Sequence, residues 1–205
     1  KETIDLIVRI SAQQATHHPS LMPRHLFIFA GDHGVALDDD EQTTTESHVA
    51  HWLREDSALF ALLEGSITNL TIANVGCSRF TLSSPFLYNH PIADSTRDWT
   101  KGESLSIPQV KQAMKIGANL AAKKMDNDVN VFVFSSMGRG RKLTHNALAA
   151  ILLLVSIDNI NENEVKELTP STRATIKNYQ ERVKNDPPTP VQLLAWLGGV
   201  ETAAM

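Results

Sequence analysis

Three short runs rich in β-branched and aromatic residues punctuate the chain, each ending in a glycine-containing turn. Residues 25–30 lead into Gly31, Asp32, His33 and Gly34; residues 70–75 lead into Gly76; residues 129–134 lead into a turn that carries Gly138 and Gly140. Between them lie helical periods. Ile4, Ile7, Val8 and Ile10 recur at helix spacing within residues 2–15, and Val49, Trp52, Leu53, Phe60 and Leu63 form an apolar stripe that predicts one helix over 47–63. Ser106-Ile-Pro-Gln109 and Thr189-Pro-Val-Gln192 are capping boxes with proline in the first turn, opening helices toward Lys124 and Val200. Residues 144–157 are apolar nearly all round, which predicts a buried helix, whereas 171–184 read as an exposed one. Residues 81–103 show no period and predict a long ordered loop; the sharpest linker signal is 185–188.

Strands alternating with helices predict an α/β fold: a Rossmann-like parallel sheet with helices on both faces and a small helical part from the termini. In such sheets ligands bind beyond the carboxyl ends of the strands. Those ends carry Asp32, His33 and the 138–140 turn, so the chemistry is expected on one rim.

Composition narrows the function. Of 205 residues, 42% are hydrophobic and 20% charged, which suits a globular chain and is too apolar for a disordered one. The formal net charge is -4 and aromatics are 6%, so nucleic acid and anionic membrane are not expected partners. The single cysteine, Cys77, excludes an intramolecular disulfide and a Cys-rich zinc module, and reads as a small buried hydrophobe. The longest apolar run, 147–155, is about half of what a membrane helix needs. A cytoplasmic location is the expectation. The chain begins with Lys1 and ends inside a helical pattern, so it reads as a single α/β domain, 1–205, incomplete at its C-terminus.

Two clusters carry candidate chemistry. The run Gly138-Arg-Gly-Arg-Lys-Leu-Thr144 follows a strand and precedes a helix. Glycines allow backbone N–H groups to approach an anion, the helix start adds a favourable dipole, and Arg139, Arg141 and Lys142 add charge. A phosphate fits, with a solvated basic turn as the alternative, although this is neither a Walker A loop nor a dinucleotide fingerprint. Loss of Arg141 or Lys142 is expected to weaken nucleotide binding by about 1–3 kcal/mol. The Asp32–His33 pair suits substrate orientation, metal ligation or a purely structural turn. His48 and His51 share a helix face behind the acidic run 38–41, but lack a third ligand at recognisable spacing, so an exposed face is favoured over a metal site.

Taken together, five segments resemble one family, the nicotinate-nucleotide:dimethylbenzimidazole phosphoribosyltransferases of cobalamin lower-ligand assembly. They are Phe29-Ala-Gly-Asp-His-Gly-Val-Ala36, Asn74-Val75-Gly76, Ser95-Thr-Arg-Asp-Trp-Thr-Lys-Gly-Glu-Ser-Leu105, Ser135-Ser-Met-Gly-Arg-Gly-Arg-Lys-Leu143 and Leu197-Gly-Gly-Val-Glu-Thr-Ala-Ala-Met205, in the family's order. The resemblance implies a Rossmann-like fold with a small second domain, a homodimer, no metal and no cofactor. It implies transfer of phosphoribose from nicotinate mononucleotide to a benzimidazole-type base. The implied substrate-binding residues are Asp32, His33, Gly34, Ser136, Met137, Gly138, Arg139, Gly140, Arg141 and Lys142. The resemblance places the family's catalytic glutamate beyond Met205. Ser136 stands where the family's loop has a carboxylate, Arg141-Lys142-Leu143 replace Asn-Thr-Thr, and residues 37–45 replace the segment that helps shape the benzimidazole pocket. Those departures keep two alternatives in view: a homologue that binds without turnover, and a metal-dependent phosphoesterase suggested by Gly31-Asp32-His33-Gly34.

Overall fold

The computed structural model describes residues 2–35, 44–65, 69–77, 80–125, 129–160 and 168–205. Four strands form one parallel sheet: β1 (Arg24–Gly31), β2 (Asn69–Gly76), β3 (Leu87–Asn89) and β4 (Val131–Met137), in the order β3-β2-β1-β4. The three strongest β runs are the three long strands. The register pairs Ile28 with Ile72 on one side and with Ser135 on the other, so all three long strands end at one rim. The residue run 81–103 is not purely loop, because Leu87–Asn89 pairs in parallel with residues 72–74 of β2. Three residues are too few to show an alternating pattern.

Eight helices are described: α1 (Glu2–Gln13), α2 (Thr45–Trp52), α3 (Ala58–Gly65), α4 (Ile107–Met125), α5 (Arg141–Leu153), α6 (Pro170–Asn185), α7 (Pro190–Leu197) and α8 (Val200–Ala204). The expected single helix over 47–63 is two. Ser57 ends one and begins the other: its hydroxyl donates to Trp52 O at 2.7 Å and accepts from Phe60 N at 3.3 Å. A side chain that satisfies the backbone locally on both sides of a break competes with continuing the helix.

Alternation along β1 sorts the core into two faces. Phe27 and Phe29 face α4, α7 and α8, while Leu26, Ile28 and Ala30 face Val49 of α2 and Leu59 of α3. Helices therefore cover both faces of β1 and β2, as expected of a parallel sheet, whereas Val133, Phe134 and Ser135 of the edge strand β4 stay exposed. A third cluster joins α5, α6 and α7 around Ile151, Ile176, Trp196 and Leu197. Residues 185–188 link α6 to α7 within it. The 144–157 prediction is half right. Ala147, Ala150 and Ile151 are buried, but Leu152 and Leu153 are 61% and 66% exposed, and the helix stops at Leu153. Leu154 then adopts a left-handed φ of 54°, and Gln180 Nε2 donates to Ala150 O and Val155 O at 2.9 and 2.7 Å. The 171–184 helix is exposed along most of its length but anchored by Ile176 and by Arg182, whose guanidinium lies 3.6 Å from the Trp196 ring centroid.

Candidate functional site

The site is built where β1, β2 and β4 end. The 138–140 turn crosses directly over the end of β1. Gly138 has φ 150°, and a Cβ there would lie 1.7 Å from Gly31 O, so only glycine lets the two backbones approach this closely. The turn is then pinned by hydrogen bonds: His33 N donates to Arg139 O at 2.9 Å, and Arg139 N donates to Asp32 Oδ1 at 2.9 Å. Asp32 Oδ1 also accepts from Thr45 Oγ1 at 2.5 Å, which ties the start of α2 to the same point. Gly34 N donates to Thr96 Oγ1, and Trp99 Nε1 to Thr144 Oγ1, both at 3.1 Å. Asn74, fully buried, accepts from Cys77 N and donates to Asn89 Oδ1. Four of the motif segments thus meet in one network at one rim.

The fifth segment enters from below. Glu201 is fully buried, and its Oε1 lies 2.9 Å from His33 Nε2, 2.9 Å from Thr202 Oγ1 and 3.6 Å from His145 Nε2. Burial pushes the Glu201 carboxyl up. The charge interaction with His33, together with hydrogen bonds from His145, His33 and Thr202, outweighs that and holds it at about 2. A carboxylate so depressed and so enclosed is an anchor and a poor proton acceptor near neutral pH. Burial pushes the Cys77 thiol up, with the Asp32 charge adding to it, so this cysteine is an inert core group.

Above this network lies an open cleft of about 390 Å³. Its lining includes all of residues 136–143 on one side, and Thr45, His48 and Trp52 of α2 on the other. Ser136, Met137, Gly138, Arg139, Gly140, Arg141 and Lys142 are therefore gathered as the sequence pattern expects. Asp32, His33 and Gly34 are not among the lining residues; they brace the turn from behind. Helix α5 starts from Gly140, at φ 73°, without a side-chain cap among the described residues. Its first turn, Arg141, Lys142 and Leu143, lines the cleft at the positive end of the helix dipole, with Arg141 N donating to Gly138 O at 3.4 Å. Among the described residues, no Asp or Glu lines the cleft. Among the described residues no group of three or more His, Cys, Asp and Glu is placed to hold a metal ion. The acidic run 38–41, like the rest of 36–43, lies outside the described residues.

Sequence reasoning missed Glu201 and His145, and assigned Trp52 only to the core. The available signal for Glu201 was a lone charge in the otherwise small and apolar run 197–205.

A parallel α/β sheet with a glycine-rich, cationic cleft at its carboxyl rim is an arrangement suited to holding a nucleotide or phosphate. Comparison with known proteins makes that specific: the phosphoribosyltransferase family matches residues 3–205, and the chain belongs to it. The nicotinate-nucleotide–dimethylbenzimidazole phosphoribosyltransferase of Chlorobaculum parvum is 25% identical over 207 residues, covering 98% of this chain and 59% of that protein. The protein of the same name from Xanthomonas oryzae pv. oryzae is 27% identical over 213 residues, with 98% and 59% covered. The solved structure of the Thermus thermophilus protein of that name superposes with a TM-score of 0.81 at 20% identity, covering 98% of this chain and 61% of that one. The chain thus spans about three fifths of the length of the curated relatives it matches.

Proposed function

We propose that this chain is the nucleotide-binding part of an enzyme that transfers phosphoribose from nicotinate mononucleotide to 5,6-dimethylbenzimidazole or a related base. The products are α-ribazole 5′-phosphate and nicotinate. The observation that carries the reading is the cleft over residues 136–143, glycine-shaped, cationic and set at an uncapped helix start, in a chain whose relatives bear that enzyme's name.

In the proposed reaction a benzimidazole nitrogen attacks ribose C1′. The bond from C1′ to the pyridinium nitrogen breaks, and its electron pair neutralises the departing ring. That ring needs no proton. The proton on the other benzimidazole nitrogen passes to a base. The reacting carbon gains oxocarbenium character, so positioning carries much of the rate. The first-turn N–H groups of α5 and the Lys142 charge bind the 5′-phosphate. Trp52 and His48, one turn apart on α2, give the planar base a flat wall and an imidazole. The Asp32, His33 and Glu201 network keeps the turn in place without touching the ligand.

Two finer features belong to the same reading. Association as a homodimer is supported by α1, which leaves Ile4, Leu6, Ile7 and Val8 between 49% and 65% exposed. A cytoplasmic setting accords with the free, buried Cys77. No helix among the described residues is long and apolar enough to cross a membrane.

Calorimetric titration of the purified protein with nicotinate mononucleotide tests the reading. Saturable binding is expected, and the absence of heat at millimolar nucleotide contradicts it. Release of nicotinate on adding dimethylbenzimidazole separates an enzyme from a homologue that only binds.

A further inference from the structure

Three cations line the cleft, Arg139, Arg141 and Lys142, and the last two differ in burial and in contact. Lys142 is exposed beside the helix start. Arg141, the first residue of α5, is half-buried and turns back toward the strand: its Nη1 donates to Ser136 Oγ at 3.3 Å. Ser136 is itself buried and lies two residues before Gly138 on β4, so the guanidinium is anchored roughly 7 Å along the strand from the glycine turn.

Its described hydrogen bond goes to a neutral hydroxyl, and among the described residues no carboxylate lines the cleft around it. An acidic residue at position 136 would neutralise the guanidinium; serine anchors it and leaves its charge in place. The fork still presents further N–H donors in one plane, the geometry that receives a carboxylate through two parallel bonds. The phosphate is assigned to the helix start, where the helix dipole and Lys142 favour an anion. The remaining anionic group of a nicotinate nucleotide is the planar carboxylate on its ring, separated from the phosphate by the ribose.

We propose that Arg141, positioned by Ser136, is the specificity-determining residue that reads the ring carboxylate and selects the acid nucleotide over its amide. This rests on the nucleotide reading above and adds to it a named determinant. The amide of nicotinamide mononucleotide is neutral and carries its own N–H donors, which would face the donors of the guanidinium.

Calorimetry with nicotinate mononucleotide and nicotinamide mononucleotide tests it on wild type and three variants, with thermal melts confirming that each is folded. Wild type is expected to prefer the acid by about tenfold or more, the scale of a charge-assisted hydrogen bond. Arg141→Ala and Arg141→Gln should weaken the acid nucleotide alone, closing the gap to within about threefold while leaving the amide's affinity in place. Gln can retain the bond to Ser136, so its failure isolates the charge from the packing. Ser136→Ala, which frees the guanidinium, should narrow the gap in part. A wild type with no preference overturns the inference, as does an Arg141→Ala protein that loses both nucleotides equally, because the guanidinium would then serve the phosphate. A wild type that binds neither nucleotide overturns the nucleotide reading itself, and that result is visible before any variant is made.

Discussion

The first and last helices of the chain make opposite use of their side chains. Helix α1 has twelve residues with apolar positions at helix spacing, and buries none of them. Helix α8 has five residues and buries Val200, Glu201, Ala203 and Ala204. A glutamate in one is thus deeper than four large apolar residues in the other. Burial is set by what lies opposite. Small residues let α8 reach the backbone of α4, where a Cβ on Gly117 would lie 1.7 Å from Ala204 O. Once there, Glu201 finds His33 and the hydroxyl of Thr202. Helix α1 finds no such surface among the described residues, so its period identifies a helix without identifying a neighbour.

The sharpest way to break this contrast is at Gly117. Gly117→Val places a branched side chain inside the α8 backbone and is expected to cost about 3 kcal/mol or more, since a backbone contact cannot be relieved by a rotamer change. Chemical denaturation measures it, and a variant as stable as wild type would show that α8 is not docked there.

Next in size is Glu201→Gln. Removing the charge from a buried pair should destabilise the protein by about 2–4 kcal/mol near pH 7. The pH dependence has a defined sign. The carboxyl is held at about 2 in the folded protein, below its ordinary value of 4.5. Its contribution is therefore complete above pH 4.5 and is lost as pH falls from there toward 2. Urea midpoints measured across that window should fall more steeply for wild type than for the variant; parallel curves would mean that the carboxyl is not depressed. The smallest effect belongs to α1: Ile7→Ser should change monomer stability by less than about 0.5 kcal/mol. A large loss at a protein concentration that favours association would instead show that this face is covered by another copy.

The three long strands and the glycine turns were legible because β-branched runs and glycines act locally. The cluster at 136–142 was legible for the same reason: its backbone and its charges belong to one loop. What the sequence left hidden depends on distant partners. Glu201 lies 168 positions from the His33 that holds it. The break at Ser57 depends on one hydroxyl competing with a helix, and the brief strand at 87–89 exists only because β2 is beside it. Asp32 and His33 illustrate the limit most clearly. Their residue types suit substrate contact, and only the structure shows that the Asp32 carboxylate accepts from Thr45 and Arg139 and that the His33 imidazole is bonded to Glu201.

The central claim is that the uncapped start of α5 and its glycine turn grip the phosphate of a nucleotide. The most direct measurement is an amide NMR titration of the protein with nicotinate mononucleotide. The account predicts saturable shifts largest at Gly140, Lys142 and Leu143, with little change at Gly198 and Gly199 behind the buried glutamate. Saturable binding whose shifts avoid residues 136–143 would contradict it.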